Sequence, residues 1–223
     1  MEQSARDEIL RQLKAAPKKP ISPRPDRPVL KELSLDPYEL IETFSKNFVA
    51  ETGILHRVKD RREVLEKLSR IAEEEGLKKV MTTTDPLVAS LDLAAWGQDN
   101  HVQVMTPKDF TGRDSFRDAV FLEVDGGITG TDFAVAESGT LGLIHNKDQA
   151  RLISLAPILH IAIVPVERVV AVYEQVTEKI FGKKGNPPSQ FCFITGPSMT
   201  GDIQGVLFKG MHGPRKLIAI LVG

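Results

Sequence analysis

The chain has 223 residues, of which 41% are hydrophobic and 26% are charged, and its formal net charge is −1. This length suffices for one large domain or two small ones with a substantial core, and the composition is that of an ordinary globular protein. The near-neutral charge argues against a dominant surface for nucleic acid or for anionic membranes, so we expect neither partner.

The chain has a single cysteine, Cys192, within an apolar run. One thiol excludes a disulfide framework or a set of iron–sulfur ligands within this chain, and the scattered histidines lack the spacing of metal ligands. We therefore expect no metal and no cofactor here. The N-terminus has no apolar signal core, and no stretch approaches the ~20 apolar residues of a membrane span. These features predict a cytoplasmic protein.

Two N-terminal features precede the main domain. Residues 4–15 predict a short amphipathic helix, and the five prolines between residues 17 and 28 predict an extended arm, because proline fixes φ and lacks an N–H donor. The helix either packs on another subunit, which would give a homo-oligomer, or is a frayed tail. We assign residues 1–35 to this helix and arm, and residues 36–223 to the main domain.

Strands alternate with helices through the main domain. Asp36-Pro37 is typical of a helix start, residues 60–75 follow helical periodicity up to Gly76, and the run 158–164, apolar except for His160, predicts a central strand covered on both faces. The other predicted strands are 53–58, 79–82, 101–105, 120–124, 132–136, 140–145, 190–195 and 216–222, and the other helices are 85–95, 167–180 and 199–208. This alternation predicts an α/β fold with a mostly parallel sheet, and an antiparallel hairpin near Gly139.

One candidate site is ITGPSMTGDIQG, residues 194–205. Thr195 ends a predicted strand, Gly196 permits close approach of the backbone, and Ser198 is placed to cap helix 199–208. The free N–H groups of that helix, with the hydroxyls of Ser198 and Thr200, would bind a phosphate or carboxylate, and Asp202 falls in the first turn. Plain helix capping is the alternative. A P-loop is excluded because no Gly-Lys-Ser/Thr follows.

A second candidate site spans residues 126–140, after another predicted strand, where open α/β sheets bind ligands. Glu137 lies between two apolar runs, and a carboxylate at such a bend serves as base or nucleophile if its environment tunes it. The alternative is an exposed turn residue that caps neighbouring N–H groups. Thr129 and Thr140 are candidate ligand-binding hydroxyls on either side.

Other polar residues near predicted strand ends complete the candidate set. His212, in Gly-Met-His-Gly-Pro, would act as an acid–base group or anion donor beside Gly213, or would serve structure alone. Arg151 would pair bidentately with a carboxylate or phosphate, or would form a surface ion pair. His160, inside its apolar strand, predicts a buried histidine with satisfied hydrogen bonds.

Three segments together resemble the LUD domain, the lactate-utilization protein C family. They are GITGTDFAVAESGTLGL (127–143), RLISLAPILHIAIVPVERVV (151–170) and ITGPSMTGDIQGVLFKGMHGPRKLIAIL (194–221), in the family's order and spacing. The resemblance covers about residues 36–223. It implies a single Rossmann-like α/β domain similar to ribose-phosphate isomerase, glucosamine-phosphate deaminase and CoA transferases. In those CoA transferases a glutamate attacks the thioester, and Glu137 has a similar glycine-flanked setting.

The sequence also departs from this family pattern. Met199 stands where an arginine is common, Gly201 replaces an alanine, Gln204 a glutamate and Ser138 a threonine. The missing arginine would have been a bidentate anion donor, so its loss affects which ligand is expected.

The resemblance implies a role in a bacterial system that oxidises L-lactate to pyruvate with iron–sulfur partner proteins. The first hypothesis is an accessory component that binds a small anionic ligand or those partners. The second is an independent enzyme that acts through Glu137 or Asp202 on a phosphorylated or CoA-linked substrate. The third is an interaction module without catalysis.

Overall fold

The structure, a computed structural model, describes residues 5–17, 33–182, 187–203 and 206–223, and at positions 202, 203, 206 and 207 it describes the backbone alone. The chain divides into two units, Met1–Leu30 and Lys31–Gly223. In the first, α1 (Ala5–Ala15) confirms the predicted N-terminal helix and has no buried residue. Most of the predicted proline-rich arm lies outside the described residues.

The second unit alternates strands and helices, as the sequence predicts. Its described helices are α2 (Pro37–Ala50), α3 (Arg61–Glu75), α4 (Pro86–Ala89), α5 (Leu93–Asp99), α6 (Arg113–Leu122), α7 (Leu152–Leu155) and α8 (Tyr173–Phe181). Its described strands are β1 (Ile54–Val58), β2 (Lys79–Thr82), β3 (Gln103–Met105), β4 (Gly126–Gly130), β5 (Phe133–Val135), β6 (Thr140–Ile144), β7 (Leu159–Pro165), β8 (Val169–Val170), β9 (Phe191–Ile194), β10 (Met199–Ile203), β11 (Val206–Lys209) and β12 (Lys216–Val222).

Six parallel strands form the main sheet, in the order β1-β12-β7-β4-β2-β3. Every residue of β7 is buried, and Ile161 pairs with Ile128 on one side and Ile218 on the other. One face of the sheet packs against α3 and α5, and the other packs against α2 and β6. The predicted α/β class, the mostly parallel sheet and its doubly covered central strand are confirmed.

A second, four-stranded sheet lies against that other face, in the order β8-β5-β6-β9. Strand β6 runs antiparallel to both β5 and β9, which confirms the hairpin predicted near Gly139. Strands β10 and β11 form a separate antiparallel pair. The fold therefore stacks two sheets, and the loop that follows β9 contacts the loop that precedes β12.

Helix α2 supports two turns of the second sheet. Asp36 caps the start of α2 with its side chain, and Phe44 and Phe48 are fully buried beneath it. At its other end, Gly139 (φ +62°) and Gly196 (φ +70°) adopt left-handed backbone conformations that favour glycine. A Cβ at Gly139 would collide with the Phe48 backbone nitrogen, and one at Gly196 with the Glu51 carbonyl oxygen. Both turns therefore lie directly on the end of α2.

Two element predictions in the middle of the chain are wrong. Residues 120–124 do not form a strand, because Phe116, Ala119 and Val120 on α6 follow a helical period and pack into a core around Met81. The strand is instead β4, residues 126–130, which the sequence analysis placed in the second candidate site after that strand. The predicted helix 167–180 begins only at Tyr173, because residues 169–170 pair with β5 as β8. Both runs are rich in apolar residues, which fit either structure.

Two further predicted helices are also corrected. Residues 85–95 form α4 and the start of α5, separated at Asp92, whose φ of 53° is not helical. Residues 199–208 form the β10–β11 hairpin, in which Met199 pairs with Lys209 and Thr200 with Phe208. Glycine disfavours a helix interior, whereas threonine, isoleucine, valine and phenylalanine favour extended backbone. Ser198 is consequently not the cap of a helix.

Candidate functional site

A cavity of about 320 Å³ lies between the main sheet, α7 and the loops that flank β10 and β12. This volume is at the lower end of the ~300–1,000 Å³ that is usual for small-molecule sites. The lining residues are Ser154, Leu155, His160, Phe193, Ile194, Thr195, Gly196, Pro197, Ser198, His212, Gly213, Pro214 and Leu217.

Five of the predicted site residues line this cavity: Thr195, Gly196, Ser198, His212 and Gly213. Two more contact lining residues through hydrogen bonds, Thr129 with His160 and Thr140 with Thr195. A larger hollow of about 720 Å³ is lined by residues such as Leu40, Val170 and Glu178, and by none of the predicted site residues. We therefore place the candidate site in the smaller cavity.

The cavity does not lie at the carboxyl ends of the main strands, where the sequence analysis expects a ligand. His160 and Leu217 are the second residues of β7 and β12, so these lining residues mark the amino ends of both strands. The loop 195–198 follows β9 of the second sheet rather than a main-sheet strand. The sequence analysis placed this loop after a strand of the main sheet, and that assignment is the source of the difference.

His160 forms the buried wall of the cavity. Its Nε2 atom lies 2.9 Å from the Thr129 Oγ1 atom, whereas Nδ1 is buried without a hydrogen-bond partner among the described residues. Burial lowers the pKa of His160 to about 3, so the imidazole is neutral at physiological pH. The prediction of a satisfied core histidine thus holds for Nε2 and fails for Nδ1.

A cluster of hydroxyl groups connects the second sheet to the cavity rim. Thr140 Oγ1 lies 2.7 Å from Thr195 Oγ1, 2.7 Å from the Tyr173 hydroxyl and 2.8 Å from Ser138 Oγ. Ser138 Oγ also donates to the Tyr173 hydroxyl at 2.8 Å. Thr140 is fully buried, and hydrogen bonds of this kind each contribute ~0.5–1.5 kcal/mol. The cluster fixes the rim residue Thr195 to the turn that carries Glu137.

Backbone hydrogen bonds hold the two loops at the mouth of the cavity together. The Ser198 N–H donates to the Pro214 carbonyl at 2.9 Å, and the Gly210 N–H donates to the Ser198 carbonyl at 2.8 Å. His212 lies exposed between these contacts. The described lining carries three hydroxyl side chains and two imidazoles, with no lysine, arginine or carboxylate. Apart from Gly196 and Gly213, its other residues are apolar, so the cavity suits a small ligand with both polar and apolar parts.

The remaining residues of the predicted anion site do not form it. Without helix 199–208 there is no helix N-terminus to bind an anion, so that part of the prediction is wrong. Thr200 lies in β10 opposite Phe208 and does not line the cavity. The backbone of Asp202 is part of β10, and its side chain lies outside the described part of the structure.

Glu137 and Arg151 lie beside the cavity rather than in its described lining. The Glu137 Oε1 atom accepts a hydrogen bond from the Tyr173 backbone N–H at 3.1 Å, at the start of α8, which is the capping role offered as the alternative to catalysis. Arg151 is exposed, and its carbonyl accepts a hydrogen bond from the Ser154 hydroxyl at 3.0 Å. Sequence reasoning missed Ser154, which has no signal of its own within the apolar run.

The carboxyl edge of the main sheet carries a separate polar cluster. Arg168 donates to the Thr131 carbonyl at 2.6 Å, and the Gln149 amide donates to the Gly130 carbonyl at 3.1 Å. Burial raises the pKa of the neighbouring Asp132, whose carboxylate accepts the Ile144 N–H at 2.7 Å. These contacts pair polar groups of the residues around the end of β4, where the sequence analysis expected a ligand.

Among the described residues, no group of three or more histidine, cysteine, aspartate or glutamate residues is placed to hold a metal ion. None of the helices described above is both long and apolar enough to cross a membrane.

Comparisons with known proteins agree with the resemblance seen in the motifs. The model of the LUD domain family matches residues 41–222. Lactate utilization protein C of Halalkalibacterium halodurans is 32% identical over 89% of this chain and 85% of that protein, and the protein of the same name from Macrococcus caseolyticus is 31% identical over 89% and 84%. A crystal structure of a DUF162 family protein from Deinococcus radiodurans has a TM-score of 0.63, with 21% identity over 85% of this chain and 100% of that one. The last comparison bears on the fold alone.

Proposed function

Because the chain belongs to the LUD domain family, we propose that it is a component of a bacterial lactate-utilization system and binds a small anionic ligand in the cavity beside His160. The relatives that carry the name lactate utilization protein C support the first half of this proposal. The geometry of the cavity supports the second.

One observation supports the proposed ligand site: the three motif segments converge on the same cavity. Residues 151–170 supply Ser154 and His160, and residues 194–221 supply most of the remaining lining. Residues 127–143 reach the cavity through the Thr129–His160 and Thr140–Thr195 hydrogen bonds. Segments that are far apart in sequence and meet around a hollow lined by hydroxyls and imidazoles are best explained by a shared ligand.

We also propose that the redox centres of such a system lie on partner proteins. The single cysteine, Cys192, cannot supply the four thiolates of an iron–sulfur cluster. An enzymatic role through Glu137 has no comparable support, since this residue caps α8 and does not line the cavity. The chain therefore acts with iron–sulfur subunits rather than alone.

Deletion of the gene tests the role in the cell. We expect the deletion strain to grow on glucose but not on L-lactate as sole carbon source, and the wild-type gene to restore growth. Ser198→Ala should restore growth poorly, because it removes a cavity hydroxyl. Ser115→Ala, at an exposed serine of α6 whose hydroxyl donates to the Gly112 carbonyl, is the matched control and should restore growth fully. Normal growth of the deletion strain on L-lactate would refute the proposed role.

Purification of the tagged chain from lactate-grown cells tests the partners. Proteins recovered in stoichiometric amounts should contain iron and sulfide, whereas the chain purified alone from a foreign host should show no visible iron–sulfur absorbance. Stoichiometric iron and sulfide in the isolated chain would contradict this division of labour.

A further inference from the structure

An exposed apolar surface lies beside the mouth of the cavity. Ile158, Met199 and Met211 are 64%, 39% and 54% exposed, although side chains of this kind are usually buried. Together with Lys209 and Arg215 they form what we call the hairpin surface, because most of it belongs to the β10–β11 hairpin and the loop that follows. Scattered exposed apolar residues are common, but a group of neighbours marks an interaction site.

Backbone contacts make the residues of the hairpin surface neighbours. Met199 pairs with Lys209 across the hairpin, and the Arg215 N–H donates to the Ile158 carbonyl at 2.8 Å. A Cβ at Gly210, which directly follows Lys209, would collide with the Arg215 Cγ atom. The Arg215 side chain therefore lies against the end of the hairpin, and the surface is one region of the molecule rather than scattered positions.

The hairpin lacks support from a larger sheet. In the described structure β10 and β11 pair only with each other, and a two-stranded ribbon is marginally stable on its own. Packing against another protein would bury Met199 and stabilise the ribbon. The flexible thioether of methionine adapts well to such a contact.

The charge of the hairpin surface is positive. Lys209 and Arg215 are exposed, and neither forms an ion pair among the described residues. The residues that define the surface include no carboxylate, and Glu75 nearby already binds Lys216 Nζ at 2.6 Å. Since the whole chain has a net charge of −1, this positive excess is local. A partner that covers the surface must supply carboxylates to match it.

From these observations we infer that the hairpin surface docks a partner protein that presents carboxylates around an apolar centre. The inference rests on the proposed association with iron–sulfur subunits and specifies the face of this chain that they contact. Methionine and arginine are enriched at protein–protein interfaces, as they are here. Ser198 and Pro214 adjoin this surface and line the cavity, so the docked partner would lie next to the cavity mouth.

A second copy of the chain fits the hairpin surface less well. Symmetric dimers use the same patch on both subunits, so such a contact would bring Lys209 and Arg215 of each chain towards those of the other without a carboxylate between them. An anionic membrane is also a poorer match, because the net charge of the whole chain is negative. An acidic protein surface meets both the charged and the apolar groups.

Calorimetric titration of the full chain with the iron–sulfur protein recovered from lactate-grown cells tests this inference. We expect the double variant Lys209→Glu/Arg215→Glu to bind about 10- to 100-fold more weakly at low salt, and the loss to shrink at high salt, because salt screens exposed charges. Ile158→Glu should weaken binding about 10- to 100-fold at both salt concentrations, because it places a charge in the apolar centre of the contact.

Matched controls carry the same changes elsewhere. Arg61 and Arg113 are exposed first residues of α3 and α6, outside the hairpin surface, so Arg61→Glu/Arg113→Glu controls for charge, and Tyr38→Glu, at a side chain that is 72% exposed, controls for apolar loss. Both should bind as the wild type does. Equal affinities of the wild type and the folded hairpin-surface variants would overturn the inference and leave the association with iron–sulfur proteins standing. If Ile158→Glu does not fold, the charge reversal decides.

Other occupants of the surface give different results. Recovery of no iron–sulfur protein with the wild-type chain would overturn both the proposed association and this inference. Sedimentation of the isolated chain should show no dimer, and a dimer that Ile158→Glu dissociates would overturn the inference in favour of a second copy. Binding to vesicles of equal parts phosphatidylglycerol and phosphatidylcholine, lost in Lys209→Glu/Arg215→Glu, would overturn it in favour of a membrane.

Discussion

Acid should destabilise this protein through His160 specifically. The pKa of this imidazole is about 3 in the folded chain, because burial disfavours its charged form, whereas an unfolded histidine titrates near ~6.5. Between these values the unfolded state binds more protons, so stability falls as the pH falls from about 6.5 towards about 3. Between pH 7 and pH 5 this one group should lower the free energy of unfolding by about 2 kcal/mol.

Urea denaturation of wild type and His160→Gln at several pH values between 7 and 5 measures this contribution. The only tryptophan, Trp96, is buried between α5 and the main sheet and reports unfolding by fluorescence. Glutamine does not titrate, so the difference in unfolding free energy between the two proteins should shrink by about 2 kcal/mol as the pH falls to 5. Burial also lowers the pKa of His145, but that contribution is common to both proteins and cancels. A difference that stays constant with pH would refute the assignment.

Three further substitutions test the geometry around the cavity. In Gly213→Ala the added methyl would stand 3.1 Å from the Ser198 Cβ, so urea denaturation should show an unfolding free energy lower by an overpacking cost of ~1–3 kcal/mol, and an unchanged unfolding free energy would contradict this. Gly196→Ala should lower the unfolding free energy more than Gly76→Ala, since both have positive φ but only the first would clash with backbone, and equal losses on urea denaturation would contradict the contact. Thr140→Val should lower the unfolding free energy by ~1–3 kcal/mol, because three hydroxyls lose a partner; a loss within error would show that the Thr140 hydroxyl contributes little to stability.

Local chemistry made several elements predictable. Asp36 and Pro37 indicate the start of α2 because a carboxylate caps free N–H groups and proline tolerates the first helical position. The unbroken apolar run around Ile161 indicates a strand covered on both faces. In these places the sequence pattern and the tertiary environment favour the same structure.

The hairpin formed by β10 and β11 could not be predicted from local pattern. A strand end followed by Thr-Gly-Pro-Ser also precedes many helices, and the choice depends on pairing between Thr200 and Phe208, which is a tertiary contact. The approach of Thr140 to Thr195 has the same origin, since these residues belong to neighbouring strands of the second sheet. Five of the predicted site residues line the cavity, but the role predicted for Ser198 depended on a helix that does not form.

His160 shows a different limit. A lone histidine in an apolar strand is usually satisfied by neighbouring groups, and its sequence context gave no reason to treat it otherwise. Only the tertiary structure reveals that one nitrogen is buried without a hydrogen-bond partner among the described residues. In the sequence, the one feature that marks this position is a polar residue within the otherwise apolar run 158–164.

The support of two turns by one helix affects how mutations in this protein should be interpreted. Helix α2 does not line the cavity, yet Gly139 and Gly196 both rest on its last turn, next to Phe48 and Glu51. A substitution at the buried Phe48 would shift the hydroxyl cluster and the cavity rim together, because both turns are in close contact with the backbone at the end of α2. Variants of α2 that impair lactate use would then resemble ligand-site mutants in a genetic screen while lying in a purely architectural element, and affinity measurements at controlled stability would be needed to tell the two apart.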